Sequence, residues 1–292
     1  MDVVAARCGT LRRVPSTPCW AAPRRASAAI AVVCSLTLSL GCSRDDTGAS
    51  SSRQPSAPQL PKTSDPVKLN PDDFTTDIDN TYWPMQPGTR WTYKETDENG
   101  EVLRVVVTVT SATRKVANGI TARVVRDTVS HAGEVIEDTF DWYAQDSTGT
   151  VWYLGEDTAE FDDGHMKTRA GSFEAGVDGA MAGVIMPDEP TVGMAYRQEY
   201  YEGEAEDNGE ILSLEEMADV PAGHFDQVLM TKDTITIEPD VLEYKVYAPE
   251  VGPVLILGVS GGGGREQLVA TTKVSAEVAR AAGATPLGNP YG

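Results

Sequence analysis

The sequence predicts an all-β protein, an antiparallel meander that is internally duplicated and forms a barrel or a strongly curved half-barrel sheet. Three observations carry this expectation. From residue 88 onward, turn signals recur every 12 to 19 residues, at Pro87-Gly88, Asn99-Gly100, Asn118-Gly119, Ala132-Gly133, Thr148-Gly149 and Asp163-Gly164, and the segments between them read as strands. Within those segments, Leu103, Val105, Val107 and Val109 alternate with Arg104, Thr108 and Thr110, while Ile136, Phe140 and Trp142 alternate with Glu137, Thr139 and Asp141. Such alternation buries one face and solvates the other, as in an antiparallel sheet. Only Ser275 to Ala282 carries helical spacing, so the crossover helices that a parallel sheet requires have no place in the chain.

The chain opens on a different pattern. Arg24 and Arg25 precede Ala26 to Leu40, fifteen residues without a charge, and Gly41-Cys42-Ser43 follows. This is the outline of a signal peptide, and the run falls short of the roughly 20 residues needed to span a bilayer. Ser39-Leu40-Gly41-Cys42 resembles the bacterial lipobox, with Ser39 where a leucine is usual and Leu38 one place early. The four cysteines are Cys8, Cys19, Cys34 and Cys42. Cleavage before Cys42 would therefore leave one thiol, the one that lipidation needs. Disulfides, thiolate metal sites and cysteine catalysis are excluded from the remainder. Residues 1–41 are read as the signal peptide and 42–80 as a Ser/Pro-rich tether, with Pro55, Pro58, Pro61, Pro66 and Pro71 and scant apolar periodicity. Lipidation at Cys42 implies anchorage to the membrane on its extracytoplasmic side, in the cell envelope.

The β domain is expected over 81–275, as repeats near 88–173 and 193–274. Gly88-Thr89-Arg90-Trp91 answers to Gly193-Met194-Ala195-Tyr196, and Asn99-Gly100-Glu101 to Asn208-Gly209-Glu210. At one constant offset of 104, Val116, Gly119, Val124, Val125 and Tyr143-Ala144 match Val220, Gly223, Val228, Leu229 and Tyr247-Ala248. A sustained register over two copies favours duplication over shared turn punctuation. Residues 276–292 are set aside as a flexible tail.

Charge narrows the partners. The first 42 residues hold five arginines against Asp2, so the whole-chain net of −20 leaves −24 to the residues that follow. A surface that acidic repels nucleic-acid phosphates and anionic headgroups. Two acidic clusters, Glu156, Asp157, Asp162 and Asp163 in one region and Glu204, Glu206 and Asp207 in another, offer oxygen ligands of the kind calcium takes. They also serve as solvated charges that keep strand edges from pairing. Adjacent aromatics in Trp142-Tyr143 and Trp152-Tyr153 point to opposite faces of a strand, so one set is expected to line a ligand groove or an interface. Gly258-Val259-Ser260-Gly261-Gly262 satisfies the letters of a nucleophile elbow, but a strand rather than a helix follows it and no histidine lies beyond His224. His131, His165 and His224 sit on separate turns, with no zinc spacing.

Two segments carry a resemblance. Val220-Pro221-Ala222-Gly223-His224-Phe225-Asp226-Gln227-Val228 and Tyr247-Ala248-Pro249-Glu250-Val251-Gly252-Pro253-Val254 look like a pattern recurring in uncharacterised bacterial envelope proteins, which are similar to the curved-sheet half-barrels of lipoprotein-localisation factors. The resemblance implies an antiparallel sheet shielding an apolar ligand, and it carries no catalytic residue. The sequence thus leads to a non-catalytic envelope lipoprotein that binds an apolar ligand or a protein partner. A calcium-binding protein using the acidic loops is the alternative, and a hydrolase without a recognisable motif is third.

Overall fold

The computed structural model describes residues 60–291 apart from residue 263. Cys42 and the signal segment lie outside the described residues. In chain order the strands are β1 (Phe74–Thr75), β2 (Thr89–Asp97), β3 (Val102–Lys115), β4 (Thr121–His131), β5 (Glu134–Asp146), β6 (Val151–Asp162), β7 (His165–Thr168) and β8 (Phe173–Glu174). The remainder are β9 (Gly183–Met186), β10 (Ala195–Arg197), β11 (Asp207–Val220), β12 (Gly223–Ile235), β13 (Leu242–Ala248), β14 (Gly252–Ser260) and β15 (Gly264–Lys273), and a helix, α1 (Ala276–Ala284), follows. Among the described residues, all fifteen strands belong to one antiparallel sheet, ordered β10-β11-β12-β13-β14-β15-β2-β3-β4-β5-β6-β7, with β1 added on β5 and β8 and β9 on β6. The meander expected from the alternation is therefore present as two runs of neighbouring strands joined where β15 pairs with β2. The sheet is curved and does not close. Register shifts interrupt the β11–β12, β3–β4 and β15–β2 ladders, and extra residues of this kind bend strands and increase their twist.

Turn chemistry explains the hairpins. Ala132-Gly133 and Asp163-Gly164 each place both central residues at positive φ, the geometry of a type I′ turn that matches the twist of its flanking strands. Asn99-Gly100 lies between β2 and β3, whereas Asn208-Gly209 lies inside β11. There a Cβ on Gly209 would come within 2.9 Å of Gln198 Nε2 and 3.0 Å of the Tyr196 ring, so this glycine serves close packing and not a turn.

The concave face holds the core. Trp83 enters it from a loop pinned by an antiparallel bridge between Ile78 and Met85, and its ring lies 6.1 Å from that of Tyr143 and 5.4 Å from that of Tyr247. Each such ring, fully buried, contributes roughly 1.5–3 kcal/mol.

Two expectations are corrected at the ends of the body. The tether was expected to run to residue 80, yet Leu60, Val67 and Leu69 pack against the core and β1 pairs with β5. The cause is Arg197, which is fully buried and must find acceptors inside the protein. Its Nη1 donates to the carbonyls of Thr63 at 2.8 Å and Asp65 at 2.6 Å, and its backbone N–H to Pro61 at 2.8 Å. The segment expected as a flexible tail is docked as well. Ser275 caps α1 by accepting from the Val278 N–H, and Ala279 and Ala282 are buried. The carbonyls that end this segment are gathered by Arg126 of β4, whose guanidinium donates to Ala282, Thr285, Pro286 and Asn289 and pairs with Asp138 of β5. Tyr291 then stacks 4.2 Å from that guanidinium.

Both members of the Arg126–Asp138 pair are almost wholly removed from water. Removing one partner from such a pair typically costs about 3–5 kcal/mol, because it leaves the other charge buried and uncompensated. Arg126→Met is expected to lose stability of that order in urea unfolding. Adding Asp138→Asn should restore part of the loss, since no unpaired charge then remains.

Candidate functional site

Strand alternation places an acid-bearing layer on the concave face, above the aromatic core. On β2 the inward phase runs Trp91, Tyr93, Glu95; on β4 it runs Val125, Asp127, Val129. Asp141 and Glu137 come from β5, Glu156 from β6, Asp233 from β12, Lys245 from β13 and Glu266 from β15, and all are buried. Glu199, after β10, is buried in the same interior. Cross-strand register sets Glu95 directly opposite Glu266, and Asp141 opposite Glu156.

Desolvation dominates the electrostatics, because burial disfavours the ionised form of a carboxyl. Burial, followed by the charges of Asp97 and Glu243, pushes Glu95 up to about 7. Asp141 is raised by burial to about 7 despite the Tyr153 hydrogen bond, and Glu243 also reaches about 7 by burial. Asp127, Glu137, Glu199 and Glu266 are held well above the carboxylate range by burial and then by their acidic neighbours. Burial raises Asp207 to about 6.

Hydrogen-bond geometry gives the same answer independently. The Tyr153 hydroxyl lies 2.7 Å from Asp141 Oδ1 and 2.8 Å from Glu156 Oε2. A phenol carries one proton, so it can donate to one of these oxygens, and the other carboxyl keeps its own proton and donates to the phenol. Asp233 is the contrasting case. It accepts from Thr231 Oγ1 at 2.6 Å and Gln198 Nε2 at 3.0 Å and pairs with Lys245 Nζ at 2.9 Å. Burial works to lower the Lys245 pKa, but Asp233 and Glu243 outweigh it and the ammonium form is favoured.

Beside this layer is a small cavity. It is lined by the rings of Trp83, Trp91, Tyr93 and Tyr143, by Met85, Val107 and Val125, by Pro84, Gly252 and Pro253 at its rim, and by Asp127 and Asp141 on its polar side. It is of a size for water or a few heavy atoms and not for an acyl chain. The rim is fixed by Trp91 Nε1, which donates to Val251 O at 2.8 Å, and by the Tyr93 hydroxyl, which donates to Pro253 O at 3.0 Å. Asp127 Oδ1 is buried without a hydrogen-bond partner, as are Glu95 Oε2 and Glu266 Oε2.

The residues expected to form sites are distributed otherwise. Trp142, Tyr143, Trp152 and Tyr153 are all buried, two toward each face. Tyr143 and Tyr153 stack in the core with centroids 4.8 Å apart. Trp142 lies under the Arg114 guanidinium at 4.0 Å, and Trp152 meets Phe74 edge-on and donates to Asp146 Oδ2 at 2.7 Å. Both faces are covered at this point because residues 60–78 pack on the outside, so the groove these rings were expected to line is filled, and Tyr143 alone of the four borders the cavity. The acidic clusters do not converge. Glu156 and Asp207 turn into the interior, Asp157 pairs with Arg169, Asp162 pairs with Lys167, Asp163 forms the β6–β7 turn, and Glu206 accepts from Gly203 N. Glu204 sits in the turn after Tyr201, to whose carbonyl its N–H donates. Among the described residues, no group of three or more His, Cys, Asp or Glu is placed to hold a metal ion. Ser260 ends β14 and donates to Asp240 O at 2.7 Å, and a strand, β15, follows as expected.

No protein-family model and no curated protein matches this chain. Among solved structures, a candidate lipoprotein from Parabacteroides distasonis is similar at 13% identity over 66% of this chain and 100% of that one, with a TM-score of 0.37, a likeness too loose to assign fold or function.

Carboxyls with raised native pKa values make an unusual pH signature. Each binds its proton more tightly folded than unfolded, so its stabilisation is complete below the unfolded value of about 4 and is lost as pH climbs through the native value. With Glu95, Asp141 and Glu243 at about 7 and Asp207 at about 6, the loss falls between about pH 4 and about pH 7. The thermal midpoint is expected to drop over that interval. Glu266→Gln should raise stability at pH 8 by on the order of 1–3 kcal/mol and change little at pH 5; a midpoint that climbs from pH 5 to 8 in the parent protein would contradict the raised values.

Proposed function

We propose that this chain is a non-catalytic binding protein of the bacterial cell envelope, anchored through a lipid on Cys42, with its ligand site in the cavity beside Asp127 and Asp141. One observation carries the choice of site: Asp127 lines the cavity, and its Oδ1 is buried without a hydrogen-bond partner. A desolvated acceptor without a partner loses on the order of 1–3 kcal/mol, which a ligand donor would recover. Aromatic walls with a few convergent polar groups are the usual make-up of a small-molecule site.

The interior weighs against a long apolar ligand, because rings and carboxyls fill the space such a chain would need and acids make a poor lining for it. A small ligand fits better. Duplication is part of the same reading. Tyr143 and Tyr247, matched at the offset of 104, flank the single Trp83, which supports two copies of one meander arranged about a shared plug.

Anchorage is tested separately from binding. In cells fed labelled palmitate, the parent chain should carry label and sediment with membranes, and Cys42→Ser should lose both. Label retained by Cys42→Ser would remove the anchor from this reading.

A further inference from the structure

We propose that the cavity takes a small protonated amine, its charge met by Asp127 and Asp141 and its alkyl part lying against Trp83, Trp91 and Tyr143. This rests on the reading of the cavity as the ligand site and adds the chemical class of the ligand.

Charge selects the class. The titratable groups facing Asp127 are Tyr93 and Glu95 from β2, Glu137, Asp141 and Tyr143 from β5, and Glu266 from β15. All six are acids. Asp138, whose charge also acts on Asp127, is already committed to Arg126. None of the described lysines or arginines pairs with Asp127, and Lys245 is engaged with Asp233. A neutral hydroxyl could donate to Oδ1 but would do nothing to favour the ionised carboxylate among these acids, whereas an ammonium supplies both the donor and the countercharge that ionisation of Asp127 needs.

The walls then separate an organic cation from a metal ion. Calcium requires six to eight oxygen ligands and magnesium near-octahedral oxygen geometry, while the wall offers two carboxyls among indole, phenol and aliphatic side chains. Aromatic rings attract a cation through their quadrupole, and more strongly when water is excluded. An ammonium needs only a few acceptors and tolerates apolar contact along its alkyl stem. Size limits that stem to a few carbons.

A proton is the competing occupant, since it too would satisfy Asp127. The experiment therefore compares methylammonium and ethylammonium chloride with methanol and ethanol, by calorimetric titration of the detergent-purified full chain at pH 8 against sodium chloride of equal ionic strength. Asp127→Asn is nearly isosteric and removes a desolvated charge, so it should fold, as near-ultraviolet circular dichroism would verify; Asp141→Asn provides a second variant. The amines are expected to bind and the alcohols not. Either variant should weaken amine binding at least tenfold, and affinity should fall toward pH 5 as the carboxyls protonate. Equal binding of amines and alcohols, or full amine affinity in both variants, would overturn the amine class and leave the cavity as a ligand site. Absence of binding by all four compounds would overturn the amine and the cavity reading together.

Discussion

Glu95 and Glu266 face each other across the seam where β15 pairs with β2, and the rest of the structure depends on that seam. It is the ladder that makes one sheet of two runs of strands. Like charges directly opposite each other destabilise a strand pair, and here both are buried. Burial favours the protonated form of each carboxyl, and a proton on either one relieves that repulsion. Next to it on β2, Trp91 and Tyr93 reach across to Val251 and Pro253 at the β13–β14 turn. The pairing that joins the two runs thus also fixes the rim of the cavity.

Much of the fold was legible because its signals are local. The turns at Ala132-Gly133 and Asp163-Gly164 work through the φ > 0 of their own residues, and the alternation in β3 and β5 marks the strands, although Thr108, Thr110, Glu137, Thr139 and Asp141 of the face expected to be solvated are buried. What was not legible depends on distant partners. Leu60 to Leu69 has the Pro-rich composition of a tether, and it is ordered by a guanidinium well over a hundred residues away. Residues 276–292 carry no local signal that docks them on the sheet. They are held by Arg126, whose role cannot be read from a strand in which it simply occupies an outward, polar position. Asn208-Gly209 failed for the opposite reason: a strong local signal was overridden by packing against Tyr196 and Gln198.

The site left a trace in the sequence that went unused. In Val125-Arg126-Asp127-Thr128-Val129, the aspartate occupies the apolar phase of the alternation, and in Trp91-Thr92-Tyr93-Lys94-Glu95 the glutamate does. An acid in the inward phase of a strand is a buried acid, and several such strands side by side make a layer. Attention to acids that cluster along the chain instead selected residues such as Asp157 and Asp162, which pair with Arg169 and Lys167 at the surface. Only Glu156 and Asp207 belonged to both sets. The aromatic pairs misled similarly, because a sheet covered on both faces has no solvated side for Trp142 or Trp152 to occupy.

A layer of desolvated acids is a poor way to stabilise a sheet. At Val125 and Val129, the inward neighbours of Asp127, the same strand places residues that pack without needing a proton or a partner. Well-packed apolar residues in place of buried ionisable groups are often neutral or stabilising. Two of the acids, Asp127 and Asp141, line the space the interior leaves, and Asp127 Oδ1 is buried without a hydrogen-bond partner. Stability alone does not account for that placement. Desolvation that makes the ionised form costly for the empty protein also strengthens whatever attraction an entering cation feels, so the acids that weaken the sheet at neutral pH are the groups that would give such a ligand its affinity. Binding to the folded state alone would then return stability to the sheet in proportion to ligand concentration over its dissociation constant.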